Sequence, residues 1–108
     1  MKKIHNYVNG KSFSISKKDL PVEDPSKGEV IAKVVLSSLD DFEKILESSK
    51  NSQTEWANTT PLKRSRILSK YKVLIEKNID ELAEIVSVEH GKTLADAKGS
   101  VTRGLEVV

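Results

Sequence analysis

The chain has 108 residues, of which 37% are hydrophobic and 31% are charged, so one domain with a modest core fits and two domains do not. Its 18 basic and 16 acidic residues are interspersed and leave a net charge of +2, which argues against nucleic acid as a partner. Because the chain has no cysteine, it cannot form a disulfide, a thiolate nucleophile or a thiolate metal site.

The first residues, MKKIHNYVNGKSFS, carry two lysines but lack the apolar run of a signal peptide. No later stretch approaches the length of a membrane span. These patterns predict a protein that is not inserted in a membrane and works in the cytoplasm.

The N-terminal third predicts β-structure. Residues 4–8 and 12–16 flank Asn9-Gly10, the pair that best tolerates the positive φ angles of a two-residue hairpin turn. Residues 20–28 contain two prolines and a glycine and predict an extended connector that ends in a turn. Residues 29–36, EVIAKVVL, are rich in valine and predict a third strand.

The remaining sequence predicts four helices, and the first two begin at recognisable caps. Ser38 followed by Asp41 resembles a capping box, and the helix after it should run to Trp56. Thr60 before Pro61 places a cap residue ahead of a proline at the first helical position. The side chains expected to be buried on this second helix are Ile67, Leu68, Tyr71, Leu74 and Ile75.

The third and fourth helices are also predicted from the residues at their ends. Asn78 should begin the third helix, and Gly91 is placed to end it in a left-handed conformation. Thr93 should cap the fourth, whose apolar stripe is Leu94, Ala97, Val101, Leu105 and Val108. Since this stripe is still in register at the last residue, the pattern predicts that the helix belongs to a longer domain.

Few residues form a pattern typical of a catalytic or binding site. The five glycines form no phosphate loop, and His5 and His90 lack the spacing of a helical metal pair, so no metal site is expected. A basic helical face, Lys63, Arg66, Lys70 and Lys77, could bind an acidic partner or could simply be solvated.

Arg103 is the candidate binding residue. In helical projection it shares a side with Gly99 and Glu106, and the glycine leaves space beside the guanidinium. The planar guanidinium could hold a carboxylate through two parallel hydrogen bonds. The alternative is a surface ion pair with Glu106 at i, i+3.

The order of motifs resembles the N-terminal region of the aldehyde dehydrogenase superfamily over essentially the whole chain. The motifs are YVNGKSF, then EDPSKGEVIAKV, then a helix that closes near Trp56, then the stretch from PLKRSRIL to EHGKTLADAKGSV. The ending GKTLADAKGSVTRGLEVV is similar to the methylmalonate-semialdehyde dehydrogenase branch. The residues that match its signature are Gly99, Val101, Arg103, Gly104, Glu106 and Val108.

The resemblance implies an α/β fold, with residues 1–108 as an incomplete cofactor-binding domain made of a hairpin arm, one further strand and about four helices. It also implies NAD-dependent, coenzyme A-acylating oxidation of a semialdehyde to propionyl-CoA or acetyl-CoA with loss of CO2, in a homodimer or homotetramer. In that branch the arginine matching Arg103 helps to bind the substrate carboxylate.

The chain departs from the family pattern where catalysis would need it most. It lacks the cysteine nucleophile, and the family's NAD-binding residues correspond to no part of it, so we expect the chain alone to be inactive. The alternatives are another aldehyde dehydrogenase branch, such as one acting on succinate semialdehyde, or a small helical interaction module that uses the basic face.

Overall fold

The computed structural model describes residues 1–108 as five strands followed by four helices. The strands are β1 (Lys2–Ile4), β2 (Asn6–Val8), β3 (Lys11–Phe13), β4 (Asp19–Asp24) and β5 (Glu29–Val35). The helices are α1 (Leu39–Asn58), α2 (Pro61–Lys77), α3 (Ile79–His90) and α4 (Leu94–Val107). The chain divides into two compact units, residues 1–23 with 29–58 and residues 24–28 with 59–108. The predicted α/β class and the number of helices are confirmed.

The predicted hairpin forms around Asn9 and Gly10. Both residues have positive φ angles, +50° and +75°, and β2 pairs with β3 in the antiparallel register Val8↔Lys11 and Asn6↔Phe13. These angles are those of a turn that an asparagine and a glycine adopt with little strain. The strands are shorter than predicted, because the chain leaves the ladder after Phe13.

Two further strands were not predicted. Residues 2–4 form β1, which pairs in parallel with β5 in the register Lys2↔Ala32 to Ile4↔Val34. Residues 19–24, expected as a connector, form β4, and the three-stranded sheet has the order β1-β5-β4. Pro21 lies in β4, and this strand is at the edge of the sheet, where the missing N–H of proline is tolerated.

Helix α1 begins at the capping box formed by Ser38 and Asp41. The Ser38 hydroxyl donates to Asp41 Oδ2 at 2.7 Å and accepts from the Asp41 N–H at 3.2 Å. The Asp41 carboxylate also accepts the backbone N–H groups of Ile15 and Ser16, at 2.6 and 3.1 Å. The Asp41 side chain is fully buried, so one carboxylate fixes both the helix start and the segment that follows β3.

The second unit is built from α2, α3 and α4. Thr60 caps α2 and Thr93 caps α4, each by accepting an N–H of the first turn, and Pro61 is the first residue of α2. Gly91 ends α3 with φ +81°, as predicted. Packing of α3 against α4 buries Ala83 and Ala97 completely.

The prediction of a buried face on α2 is wrong for four of its five residues, Ile67, Leu68, Tyr71 and Leu74. Ile67, Tyr71 and Leu74 are each about half exposed, at 51%, 54% and 57%. Only Ile75 of the predicted set is partly buried, and helix α2 makes few contacts with α4, so most of this face is left exposed. The periodicity identified an apolar stripe correctly, but a stripe becomes buried only where another element packs on it.

None of the four helices combines the length and the apolar character needed to cross a bilayer.

Candidate functional site

Arg103 lies on the exposed surface of α4, and its guanidinium folds back along the helix. Its Nη2 atom donates to Ser100 Oγ at 3.0 Å. A Cβ atom placed on Gly99 would be 3.6 Å from Arg103 Nη1, so the guanidinium lies beside the glycine, on the shared side that the helical projection predicts. The distance is ordinary van der Waals contact. Arg103 forms no ion pair with Glu106 or with any other carboxylate.

The Ser100 hydroxyl connects Arg103 to a second cation. Lys92 Nζ donates to Ser100 Oγ at 2.9 Å, and the hydroxyl itself donates to the carbonyl oxygen of Asp96 at 3.2 Å. A serine hydroxyl has one proton and two lone pairs, so these three interactions use its full hydrogen-bonding capacity. The Ser100 hydroxyl therefore connects the two cationic groups through one oxygen atom.

Lys92 is fixed at its backbone as well as at its ammonium group. Its carbonyl oxygen accepts the Ser87 hydroxyl at 2.8 Å. It follows Gly91, whose left-handed conformation ends α3, and precedes the cap residue Thr93. Lys92 is thus held in a short turn between two helix caps, and it is half-buried.

Neither cation has a carboxylate partner. The ion pair that connects α3 to α4 is formed by Lys98 and Asp80 at 2.8 Å and includes neither Lys92 nor Arg103. The cluster of Lys92, Ser100 and Arg103, which we call the Ser100 cluster, therefore carries uncompensated positive charge. Groups of this type attract anions, and a guanidinium in particular favours planar oxyanions.

Sequence reasoning identified Arg103 but missed Lys92 and Ser100. Ser100 lies three residues before Arg103, a spacing at which helical side chains meet, and this signal could have been used. Lys92 lies outside the helix, and its approach to Ser100 depends on how the turn after Gly91 is shaped. No local sequence pattern predicts the contact between Lys92 and Ser100.

The other candidate residues have ordinary surroundings. His5 is hydrogen-bonded to Ser14, and His90 is the last residue of α3. No group of three His, Asp or Glu side chains is arranged to hold a metal ion. The residues of the basic face on α2 are all exposed, namely Lys63, Arg66, Lys70 and Lys77.

Two carboxylates have altered proton affinity, and both have structural roles. The N–H groups of Ile15 and Ser38 are the main cause that lowers the pKa of Asp41 to about 2. The hydroxyl and N–H of Ser26 lower the pKa of Asp24, which closes the turn after β4. Both carboxylates are ionised near neutral pH. Each accepts hydrogen bonds from backbone N–H groups and a serine hydroxyl of the fold itself, so neither is placed for acid-base catalysis.

Comparisons of the chain with protein families and with individual proteins all match aldehyde dehydrogenases. The model of the aldehyde dehydrogenase family matches residues 13–108. The malonate-semialdehyde dehydrogenase of Bacillus cytotoxicus is 39% identical over the whole chain, which spans 22% of that protein's length. A methylmalonate-semialdehyde/malonate-semialdehyde dehydrogenase assigned in Dictyostelium discoideum is 43% identical over 94% of the chain and 20% of its own length.

Solved structures give the same result. A Sinorhizobium meliloti protein assigned as a methylmalonate-semialdehyde dehydrogenase, solved in complex with NAD, superimposes with a TM-score of 0.96 at 41% identity. The match covers 99% of the present chain and 22% of the Sinorhizobium chain. The chain thus spans about a fifth of the length of the relatives it matches.

Proposed function

The chain belongs to the aldehyde dehydrogenase family, and on this premise we propose that it forms the N-terminal part of a coenzyme A-acylating dehydrogenase for methylmalonate or malonate semialdehyde. Residues 1–108 would be part of its cofactor-binding domain. The net reaction converts the semialdehyde, coenzyme A and NAD⁺ into propionyl-CoA or acetyl-CoA, CO2 and NADH. Relatives named for these substrates, at 39% and 43% identity, support the assignment.

The observation that carries the proposal is the unpaired guanidinium of Arg103. Both proposed substrates have a carboxylate at the end opposite the aldehyde. The hydrogen bond to Ser100 orients the guanidinium and leaves most of its N–H donors free, so it can hold that carboxylate through two parallel bonds. Arg103 would thereby set the position of the aldehyde and select carboxylated substrates over neutral ones.

The sequence contains no recognisable binding motif for NAD or coenzyme A. None of the five glycines belongs to a loop that could cradle a dinucleotide phosphate, and the chain has no cysteine to attack the aldehyde. We propose that NAD and coenzyme A are bound by residues of the complete enzyme that have no equivalent among residues 1–108. The contribution of residues 1–108 is then to bind and orient the substrate carboxylate.

A chimaera tests this function directly. The chain would replace the matching N-terminal residues of the Bacillus cytotoxicus enzyme, and NADH formation would be followed with coenzyme A and either malonate semialdehyde or propanal. We expect turnover of malonate semialdehyde. Arg103→Leu should lower the ratio of kcat/KM for malonate semialdehyde to that for propanal about 10- to 100-fold, the effect of losing a charge-assisted hydrogen-bonded contact.

Arg66→Leu is the matched control, because Arg66 is an exposed arginine on α2. It should leave the substrate ratio unchanged. An unchanged ratio in Arg103→Leu would contradict the proposed role of Arg103, and a preference of the parent chimaera for succinate semialdehyde would favour the other branch. The homo-oligomeric state and the cytoplasmic location stay predictions, which light scattering and cell fractionation would test.

A further inference from the structure

The tip of the β2–β3 hairpin carries a pair of residues that can react with each other. Asn9 is followed by Gly10, and no other asparagine of the chain precedes a glycine. Both residues are exposed, and a Cβ atom placed on Gly10 would find nothing within 4 Å. No side chain therefore shields the nitrogen of Gly10 from the side-chain amide of Asn9, and asparagine is a thermolabile residue.

Neither of the two reacting groups is held by a hydrogen bond. The carboxamide of Asn9 has no partner, whereas those of Asn6 and Asn78 donate to a serine hydroxyl and to a helix carbonyl oxygen. The N–H of Gly10 likewise donates to no group of the turn. The carboxamide of Asn9 can therefore rotate, and its carbon can approach the nitrogen of Gly10 within the ~3.5 Å that bond formation requires.

The hairpin must open before the two groups can react. While the strands are paired, the turn holds Asn9 at φ +50° and Gly10 at φ +75° and restricts the rotation about the Cα–C bond of Asn9 that ring closure needs. Strands β2 and β3 have three residues each and form a sheet of their own, and a two-stranded hairpin is only marginally stable in water. The hydrogen bond between His5 and Ser14 lies at the base of the hairpin, so the tip can fray.

We infer that Asn9 is a site of spontaneous deamidation, which occurs when the tip of the β2–β3 hairpin opens. The nitrogen of Gly10 gives its proton to hydroxide or water and attacks Cγ of Asn9. The Cγ–Nδ2 bond breaks, the nitrogen takes up a proton and leaves as ammonia, and a five-membered succinimide ring remains. Water then opens the ring: attack at Cγ yields aspartate, and attack at the main-chain carbonyl carbon yields isoaspartate. The net change is hydrolysis of an amide to a carboxylate and ammonium, without oxidation or reduction.

The two products change the hairpin to different extents. In isoaspartate the main chain runs through Cβ and Cγ, so a turn of two residues gains one carbon atom. Because the turn fixes the register of a hairpin, the pairing of Val8 with Lys11 is lost. Either product also adds a negative charge to a cavity of about 260 Å³ that Asn9 lines together with Lys44 and Glu47. Lys44 pairs with Glu47 at 3.1 Å, and the new carboxylate competes for the same ammonium group.

Mass spectrometry of the 108-residue chain tests the site. The chain would be incubated in mildly alkaline buffer, and aspartate and isoaspartate would be located by peptide mapping. We expect both products at residue 9, formed at least about tenfold faster than at Asn51, which is exposed but lies within α1. Asn9→Gly is the matched variant, because Gly-Gly also suits the turn, and it should form no isoaspartate at this position.

A second comparison tests whether the hairpin must open. His5→Ala removes the hydrogen bond to Ser14 and should accelerate deamidation of Asn9 about 2- to 10-fold. His90→Ala is the control, because His90 lies at the end of α3, and it should leave the rate unchanged. A peptide of residues 6–13 should react faster than the whole chain, since it forms no stable hairpin.

Three results would overturn the inference. One is a rate at Asn9 no greater than the rate at Asn51. Another is reaction of the peptide while the whole chain stays intact at residue 9, which would show that the paired hairpin protects the asparagine. The third is an equal rate in His5→Ala and in the parent chain, which would exclude opening of the hairpin as the controlling step. Circular dichroism of each variant checks that the fold is retained, and none of these rates depends on the dehydrogenase function proposed above.

Discussion

The buried carboxylate of Asp41 accepts the backbone N–H of Ile15 at 2.6 Å, although the two residues are 26 positions apart in the chain. The same carboxylate caps α1 through Ser38. It therefore joins the irregular segment after β3 to the start of a 20-residue helix. Three backbone N–H groups depend on this one side chain.

Replacement of Asp41 should destabilise the first unit. Asp41→Asn puts an N–H2 group where an oxygen accepts, so at least one backbone N–H loses its partner in a buried position. We expect the midpoint of thermal unfolding to fall by several degrees, measured by circular dichroism. Asp40→Asn is the matched control, because the neighbouring Asp40 is exposed, and it should have a much smaller effect. Equal effects of the two substitutions would contradict the role assigned to Asp41.

The free energy of unfolding should depend on pH through the carboxylate of Asp41. The pKa of Asp41 is lowered in the folded chain from 3.8 to about 2, so the unfolded chain binds this proton more readily. The resulting stabilisation is fully present above about pH 4 and is lost as the pH falls through about 2. Urea unfolding of the parent and of Asp41→Asn between pH 5 and pH 2 should show the difference between them shrinking as the solution is acidified. A difference that stays constant over this range would contradict the lowered pKa.

Gly91 should resist substitution for two separate reasons. Its φ angle is +81°, and a Cβ atom there would be 2.7 Å from Pro25 Cγ. Gly91→Ala should therefore lower the free energy of unfolding by about 1 kcal/mol from backbone strain, with a further loss from the clash.

Two other glycines separate these causes. Gly28 has φ +67° with nothing within 4 Å, so Gly28→Ala should show the strain alone. Gly104 is helical and equally open, so Gly104→Ala should stabilise the chain by about 0.5–1 kcal/mol. Urea unfolding gives all three values, and a smaller loss at Gly91 than at Gly28 would exclude a contribution from Pro25.

The cap of α4 should contribute to the stability of the fold. Thr93 Oγ1 accepts the Asp96 N–H at 3.2 Å, and the helix that it begins carries Ser100 and Arg103. Thr93→Ala should cost about 1 kcal/mol of unfolding free energy, whereas Thr93→Ser, which keeps the hydroxyl, should cost far less. If the two variants unfold alike in urea, the hydroxyl is not the stabilising group.

Local chemistry made much of the fold predictable. The Asn9-Gly10 turn, the proline at the start of α2 and the left-handed Gly91 each depend on conformations that few residue types adopt. Strand β1 and the contact of Lys92 with Ser100 depend instead on pairing between distant or differently structured segments. Residues 2–4 became a strand because β5 offered a free edge, and their own sequence contains no β-specific pattern.

The candidate site was predictable only in part. A helical spacing placed Arg103 beside Gly99, but the same spacing also allowed an ion pair with Glu106, which the chain does not form. Which partner a long side chain selects depends on small differences in rotamer and on competing acceptors. Ser100 was the acceptor within reach.

The proline in β4 and the two lysines in β1 lie on the two outer strands of the three-stranded sheet. An outer strand with unpaired N–H and C=O groups can recruit a strand from another molecule and start aggregation. Pro21 removes one donor from its strand, and β1 is only three residues long with charged Lys2 and Lys3. Both edge strands of this sheet therefore carry features that disfavour pairing with a strand of another molecule.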